Sequence, residues 1–146
     1  MHNASVVAVN ISEHKGTIKH PVEEIELRVG HGIVGDAHAG DWHRQVSLLA
    51  KESIDKMSAL GIDGLTAGKF AENITTCGVE LHTLPVGTLL KIGECVLEVT
   101  QIGKECHQHC EIYKKVGRCI MPTEGIFTRV LTGGAIRAGD MIERIS

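Results

Sequence analysis

The sequence predicts a mainly β protein, a closed and largely antiparallel β-barrel with two or three short helices. Apolar residues mostly alternate with polar ones, which is the two-residue period of strands buried on one face. The 17 glycines divide the chain into short segments of this kind. Closure into a barrel removes the exposed edges that so many short strands would otherwise present.

The strand pattern occurs in SVVAVNI near the start, in VEEIELRV at Val22–Val29, in QVSLLA at Gln45–Ala50 and in RAGDMIERI near the end. It is clearest in LPVGTLLKIG, which is followed directly by ECVLEVTQI. This pair predicts a hairpin with Gly93 and Glu94 at the turn.

Two helices are predicted. In KESIDKMSALG the apolar side chains fall three residues apart on one face, and Gly61 is placed to end the helix. The second begins at Thr123, where Thr123 and Glu124 cap a first turn, and stops at Gly133. Its apolar stripe consists of Ile126, Phe127, Val130 and Leu131.

The composition favours one cytoplasmic domain that spans residues 1–146. A chain of 146 residues with 42% hydrophobic residues buries a sizeable core. A formal net charge of −3, scattered basic residues and few aromatic rings argue against a nucleic-acid partner. The sequence has neither a basic leader with an apolar run nor an apolar segment near the ~18 residues of a membrane span.

The segment GKECHQHCEIYKKVGRC concentrates thiols and imidazoles. Cys106 directly follows the predicted strand VLEVTQI, so we expect it at a barrel rim, where Lys104 and nearby histidines stabilise a thiolate. Three neighbouring thiols also permit a persulfide relay, with Cys110 and Cys119 as resolving thiols. An odd number of cysteines without an export signal favours free thiols, metal ligands or catalytic groups over disulfides.

Two other interpretations of these cysteines stay open. One is a zinc site formed by Cys106, His109, Cys110 and Cys119, although C-x3-C-x8-C is not a common zinc spacing. The other is simple burial, since cysteine is among the most buried residue types. Burial is the expectation for the isolated residues Cys77 and Cys95.

Two further segments contain candidate binding residues. The glycine-rich loop GHGIVGDAHAGDWHRQVSLL carries Asp36, His38 and Arg44, and such loops bring backbone N–H groups close to an anion. Arg44 offers a planar fork suited to phosphate. In KFAENITT, Glu72 and Asn73 open a strand, where they cap the chain or bind a ligand.

Four segments in order, GDAHAGDWHRQVSLL, GKFAENITTCGV, LPVGTLLKIGECVLEVTQIGKECHQHC and GRCIMPTEGIFTRVLTGGAIRAGDMI, resemble the MOSC family, named for the C-terminal part of molybdenum-cofactor sulfurases. The resemblance runs from about Val6 to Ile142 and is closest to short stand-alone bacterial members. It implies a barrel similar to the small barrel domain of pyruvate kinase. It also implies binding of molybdenum cofactor or handling of its sulfur. The pyridoxal-phosphate-dependent desulfurase domain of the sulfurases has no counterpart in this sequence.

The resemblance assigns roles to particular residues. Cys106 matches the family cysteine that carries a persulfide in sulfur-transfer members and ligates molybdenum in amidoxime reducers. Cys119, in GRCIMP, competes for that assignment. The polar motifs around the family pocket are matched by Arg44, Asp36, His38, Glu72 and Asn73.

The leading hypothesis is therefore a molybdenum-cofactor-binding or sulfur-carrier protein acting through Cys106, with Arg44 on the pterin phosphate. The alternatives are a structural zinc module and a molybdenum-dependent reductase of N-hydroxylated compounds. The expected partners are the cofactor or its biosynthetic proteins and a cysteine desulfurase as sulfur donor. A second subunit or another protein is expected to cover the shallow pocket.

Overall fold

A computed structural model describes residues 4–14, 18–59, 61, 64–103 and 124–146. These ranges contain eleven strands, one α-helix (α1, Lys51–Ser58) and one 3-10 turn (Leu81–Thr83). The strands are β1 (Ala4–Ile11), β2 (His20–Val22), β3 (Ile25–Arg28), β4 (Gly32–Ile33), β5 (Val46–Ala50), β6 (Ile74–Cys77), β7 (Leu89–Ile92), β8 (Cys95–Ile102), β9 (Ile126–Thr132), β10 (Gly134–Ile136) and β11 (Met141–Arg144).

Seven strands close into a barrel in the order β1, β11, β7, β8, β9, β5 and β6, and β6 pairs with β1 again. All neighbouring pairs are antiparallel except β5 and β6, which are parallel. The closed, largely antiparallel barrel predicted from the sequence is thus confirmed. β2 pairs with the end of β1, and β10, β3 and β4 form a separate small sheet.

The barrel interior is filled by side chains that alternate inward along the strands. Val9, Leu48, Ile74 and Leu97 are completely buried there. The predicted hairpin is confirmed, because β7 and β8 pair in register up to the turn at Gly93 and Glu94.

The prediction of burial holds for one of the two isolated cysteines. Cys95 is completely buried in the barrel core. Cys77 is only half-buried, and its Sγ lies 3.3 Å from Ser5 Oγ. Cys77 is therefore not a simple core filler.

Helix α1 lies on the outer face of the barrel, as the spacing of its apolar residues predicts. Ile54 and Met57 pack against Leu49 of β5, against Phe127 of β9 and against Phe70, which lies in the turn before β6. Within the described ranges, no helix has the length and hydropathy needed to cross a lipid bilayer.

The second predicted helix is wrong. Ile126–Thr132 forms strand β9, whose first three residues are buried on both faces, whereas Arg129, Leu131 and Thr132 are exposed. Ile126 and Val130 point into the barrel, whereas Phe127 packs outside against α1. A strand with apolar residues on both faces has no clean two-residue alternation, and the apolar spacing here happens to fit a helix.

The predicted strand at Val22–Val29 is shorter than expected. β3 lies within it and pairs with β10 and β4 in the small sheet, whereas Val22 is the last residue of β2, which pairs with the end of β1. The continuous pattern in the sequence therefore covers a change of sheet.

Candidate functional site at the barrel mouth

One end of the barrel, called the mouth below, is where β8 ends and β9 begins. Ile102 pairs with Ile126 there, and the N–H of Gly103 donates to the carbonyl of Gly125 over 2.6 Å. The strand pairing brings the starts of β1 and β7 and the ends of β5, β6 and β11 to the same end. The chain from 104 to 123 thus connects two strands at the mouth.

A cavity of about 1080 Å³ lies at the mouth. Its volume is slightly above the range of about 300 to 1,000 Å³ that is usual for pockets that hold small organic molecules. Its apolar lining comes from the barrel strands and a neighbouring loop, and its rim is charged. The lining includes Ala4, Ala50, Val79, Leu90, Ile142, Glu52, Ser53, Lys56, Glu80, His82, Glu124, Glu143 and Arg144.

Glu124 fixes the start of β9 to helix α1 beside this cavity. Ser53 Oγ donates to Glu124 Oε1 over 2.5 Å, and Lys56 Nζ lies 3.1 Å from both carboxylate oxygens. Burial acts to raise the pKa of Glu124, but the Ser53 and Lys56 hydrogen bonds and the charges of Lys56 and His82 hold it below its usual value. The carboxylate is therefore ionised at neutral pH and anchors the chain that leads back from the cysteine-rich segment.

The loop before β5 is anchored by a buried ion pair. Lys19 Nζ donates to Asp36 Oδ1 over 2.7 Å, and neither side chain reaches solvent. The N–H of Ser12 also donates to Asp36 Oδ1, and the N–H of His38 donates to Asp36 Oδ2, both over 3.1 Å. Lys19 Nζ lies 3.1 Å from Ser12 Oγ and from His38 Nδ1.

These contacts set the charge state of Asp36. Burial by itself raises the pKa of this carboxyl, but the Lys19 ammonium and the N–H donors of Ser12 and His38 bring it below the usual value. Both carboxylate oxygens are occupied inside the protein. Asp36 thus serves to hold the loop that carries His38 and Arg44.

Glu72 lies in a turn just before β6 and is completely buried. Its carboxylate accepts hydrogen bonds from the N–H of Gly68 and of Phe70 and from the hydroxyl of Thr75, at 2.7 to 3.2 Å. Burial raises the pKa of Glu72 above its usual value although these donors act to lower it. Gly68 has a φ of +88°, and a Cβ there would collide with the carbonyl of Lys19.

Asn73 ties three strands together at the end of the barrel opposite the mouth. Its Oδ1 accepts from the N–H and the hydroxyl of Ser47, and its Nδ2 donates to the carbonyl of Asn10. Both Glu72 and Asn73 are thus held by internal hydrogen bonds away from the mouth. A direct contact between either residue and a ligand stays a prediction.

Arg44 lies between two aromatic rings on the outer wall of β9. Its guanidinium carbon is 4.5 Å from the centroid of the Trp42 ring and 5.6 Å from that of Phe127. The Nε atom is shielded from solvent and has no hydrogen-bond partner in the described part of the chain. A stacked guanidinium with an unused buried donor fits an oxyanion such as phosphate.

The residue next to Arg44 connects the loop to the end of β8. Gln101 Nε2 donates to the carbonyl of Gly103, so its Oε1 must accept the hydrogen bond from His43 Nε2 over 2.8 Å. Thr100 Oγ1 also donates to the carbonyl of His43. His43, the neighbour of Arg44 in the chain, is thereby held at the end of β8.

A sequence model of the MOSC domain matches residues 35–143, about three quarters of the chain. The chain belongs to the MOSC domain family. The match includes the Asp36 loop, the Glu72 turn and both strands at the mouth. No curated protein sequence matches this chain.

Several solved structures share the fold of this chain. The YuaD protein from Bacillus subtilis has a TM-score of 0.81 at 19% identity, with 97% of each chain covered. YiiM from Geobacillus stearothermophilus has a TM-score of 0.76 at 20% identity, covering 98% of this chain and 75% of that one. YiiM from Escherichia coli has a TM-score of 0.70 at 18% identity, and the alignment covers 100% of this chain and 70% of that one.

The predicted site residues of this MOSC domain fall into two groups. Asp36 and His38 meet at the Lys19 ion pair, and the N–H of Lys19 donates to the carbonyl of Gly68 in the turn that holds Glu72 and Asn73. Arg44 lies apart from them, beside Phe127. Lys104, Cys106, His109, Cys110 and Cys119 lie outside the described residues. Among those that are described, no group of three or more candidate ligands is placed to bind a metal ion.

Two residues of this arrangement were not foreseen. Lys19 stands in a polar stretch with no pattern that marks it as buried. Trp42 is the only tryptophan, and it lies two residues before Arg44. That spacing was a usable signal for a stacked cation, because a tryptophan ring two residues away is within reach of a guanidinium.

Proposed function

We propose that this MOSC domain binds molybdenum cofactor or carries its sulfur, with Cys106 as the persulfide acceptor or metal ligand. The observation that supports the proposal is the hydrogen bond between Gly103 and Gly125 at the mouth, beside the cavity of about 1080 Å³. The sequence between these two glycines contains Cys106, Cys110 and Cys119. The thiols therefore lie, in the sequence, between two glycines that pair at the mouth.

The sulfur-transfer step proceeds by thiol exchange. The Cys106 thiolate attacks the outer sulfur of a donor persulfide, the donor S–S bond breaks, and the donor leaves as a thiolate. Cys106 then carries the persulfide. A thiolate of Cys110 or Cys119 attacks the inner sulfur, forms a disulfide with Cys106 and releases hydrosulfide, and a thiol reductant restores the dithiol. A cysteine desulfurase is the class of donor that this step needs.

The residues around Arg44 fit the anionic end of the cofactor. The cofactor supplies, when bound, a molybdenum centre that carries oxygen or sulfur and a pterin that ends in a phosphate. Arg44 would hold the phosphate with its guanidinium, whose Nε has no hydrogen-bond partner in the described part of the chain, and Trp42 and Phe127 would keep the guanidinium in place. The Lys19 and Asp36 pair supports this role by fixing the loop, and His38 lies at its edge.

Mass spectrometry of the intact, unreduced protein tests the proposal. The protein is expressed in cells that make the cofactor, exposed to a cysteine desulfurase with cysteine, and analysed for molybdenum and pterin. Wild type is expected to carry added sulfur or the cofactor. Cys106→Ala is expected to carry neither, whereas the control variant Cys77→Ala should carry as much as wild type. Absence of molybdenum, pterin and added sulfur from wild type would contradict the proposal.

The same measurement separates the alternatives. A zinc adduct, together with a strong loss of thermal stability on chelation, would support the structural zinc module of Cys106, His109, Cys110 and Cys119. Reduction of N-hydroxylated compounds by the molybdenum-loaded protein, lost in Cys106→Ala, would support the reductase. Light scattering tests the expected second subunit over the pocket.

A further inference from the structure

Lys19 donates three hydrogen bonds at the buried end of the loop before β5. Its ammonium lies 2.7 Å from Asp36 Oδ1 and 3.1 Å from both Ser12 Oγ and His38 Nδ1. The hydroxyl of Ser12 donates its own proton to the carbonyl of His14, so its oxygen accepts from Lys19. The ionised carboxylate of Asp36 balances the positive charge. Lys19 is therefore an ammonium that acts as the donor in all three contacts.

This geometry determines which ring nitrogen of His38 carries the proton. An ammonium has no lone pair, so His38 Nδ1 must accept the hydrogen bond from Lys19 and is itself unprotonated. Asp36 Oδ2 does not offer an alternative partner for an Nδ1 proton, because it is 3.9 Å from Nδ1 and already accepts the backbone N–H of His38. A neutral imidazole with an unprotonated Nδ1 has its proton on Nε2.

The charge of Lys19 also keeps the ring of His38 neutral. A proton on Nδ1 would place a second cation 3.1 Å from the ammonium and would point at a group that cannot accept it. A metal ion on Nε2 would displace the proton to Nδ1, where it meets the same obstacle. His38 Nε2 is therefore able to donate a hydrogen bond but not to take up a proton or to bind a metal ion.

Trp42 connects His38 to the cation of the candidate site. The indole N–H of Trp42 donates to the carbonyl of His38 over 2.8 Å, and the guanidinium carbon of Arg44 lies 4.5 Å from the centroid of the indole ring. The side chain of His38 is 23% exposed, whereas those of Lys19 and Asp36 are fully buried. The loop thus brings a partly exposed imidazole and a guanidinium to the same tryptophan.

We propose that Lys19 is a positioning residue, which fixes His38 as a neutral Nε2–H donor for an oxygen atom of the anion bound at Arg44. The buried ammonium then has two effects, because it anchors the loop and also selects the hydrogen-bonding role of the histidine. The contact with an anion rests on the proposed function. The tautomer of His38 does not, and it can be measured in the protein without any ligand.

Nitrogen NMR of protein labelled in its histidines measures the tautomer directly, since the couplings to the ring C–H protons distinguish a protonated from an unprotonated nitrogen. The His38 signals are assigned by their loss in His38→Gln, and His20, exposed on β2, serves as an internal reference. His38 is expected to show a protonated Nε2 and an unprotonated Nδ1 at neutral pH. A proton on Nδ1, alone or in an imidazolium, would overturn the proposal.

A double variant tests whether Lys19 sets this state. Lys19→Met with Asp36→Asn removes both buried charges together, so neither is left without its partner. His38 is expected to show both tautomers in this variant, while the indole N–H resonance of Trp42, the only tryptophan, keeps its position. A spectrum of His38 like that of wild type, or a change that a shift of the Trp42 resonance accompanies, would overturn the direct role of Lys19.

The matched control removes an exposed ion pair of the same kind. Lys51→Met with Asp55→Asn deletes the pair on helix α1 and should leave the signals of His38 unchanged. A change in the control as large as in the buried double variant would likewise overturn the role of Lys19.

Titration with a phosphate monoester, followed by the fluorescence of Trp42, tests the contact with an anion. His38→Leu removes the donor and is expected to weaken binding about threefold or more. His38→Gln places an amide N–H near the position of Nε2 and should stay within about twofold of wild type. Equal affinities of wild type and His38→Leu would overturn the contact.

These outcomes are distinguishable from those of the proposed function. A wild type without added sulfur, molybdenum or pterin that shows the Nε2–H tautomer, and loses anion affinity in His38→Leu, would support this inference and contradict the proposed function. Sulfur or molybdenum on Cys106, together with a protonated Nδ1 in His38, would do the reverse.

Discussion

Lys19 Nζ lies 2.7 Å from Asp36 Oδ1, and both side chains are excluded from solvent. The pair joins the chain after β1 to the loop before β5. Taking two charges out of water is costly, and the cost is offset only while each has its partner. The anchoring of the Arg44 loop therefore depends on both charges.

Asp36→Asn removes the negative charge and leaves the buried Lys19 ammonium without its carboxylate. We expect a loss of about 3 to 5 kcal/mol in the free energy of unfolding, measured by urea denaturation. Glu26→Gln removes a carboxylate from an exposed pair with Arg28 and should cost no more than about 1 kcal/mol. A loss in Asp36→Asn as small as in this control would show that the ion pair does not hold the loop.

The raised pKa of Glu72 predicts that the stability of the protein depends on pH. Burial raises its pKa above the ordinary 4.5, so the folded protein holds this proton more tightly than the unfolded chain. The free energy of unfolding should therefore fall as pH rises from 4.5 through the folded-state pKa, and then level off. Asp36 has the opposite sign, since its lowered pKa gives stability that is present above 3.8 and lost as pH falls through the folded-state pKa.

Glu72→Gln separates these two effects. The decline that begins at 4.5 should disappear in this variant, whereas the acid loss due to Asp36 should remain. The measurement is a series of urea titrations at different pH values. Parallel profiles for wild type and variant between pH 4.5 and neutrality would mean that Glu72 does not titrate in this way.

We predict that an anion binds to Arg44 and that the fluorescence of Trp42 reports the binding. Trp42 is the only tryptophan and is stacked on the guanidinium, so an anion on Arg44 should change its fluorescence. We expect saturable titration with a phosphate monoester, weakened about tenfold or more in Arg44→Gln, because charge-assisted hydrogen bonds are worth roughly 1.5 to 3 kcal/mol. The affinity of Arg44→Lys for the phosphate monoester should be intermediate, because lysine keeps the positive charge but lacks the planar pair of N–H donors. Identical titrations of wild type and Arg44→Gln would remove Arg44 from the site.

Cys95 should be inert in the native protein. Burial, with the charges of Glu94 and Asp140, raises the pKa of its thiol to about 11, and the side chain is completely enclosed. In a variant whose cysteines at positions 106, 110 and 119 are all alanine, iodoacetamide should modify Cys77 and spare Cys95 until denaturant is added. Peptide mapping measures both, and early labelling of Cys95 would contradict its place in the core.

Regular local patterns accounted for much of the barrel. The β7 and β8 hairpin and helix α1 follow from the local order of apolar residues, glycines and polar residues. β9 was missed because Phe127 packs outside the barrel while Ile126 and Val130 pack inside. Its pairing with β8 also changes register twice, which interrupts the alternation further.

The candidate site was less predictable because its contacts join distant parts of the chain. Asp36 gives no sign in sequence that its partner is Lys19, and Asn73 gives none that it holds Ser47 and Asn10. Arg44 could be proposed as an anion ligand from the sequence because the chemistry of its guanidinium is specific on its own. Its two stacking rings are not adjacent in sequence, since Phe127 follows it by 83 positions.

The pairing of β1 with β11, which closes the barrel, has a consequence for biosynthesis. Ala4 pairs with Ile142, so β1 leaves the ribosome long before β11 and must wait for it before the cylinder can close. Until then β1 offers unpaired backbone groups along one side to any extended polypeptide nearby. Slow translation near β11 should therefore favour misassembly between nascent chains.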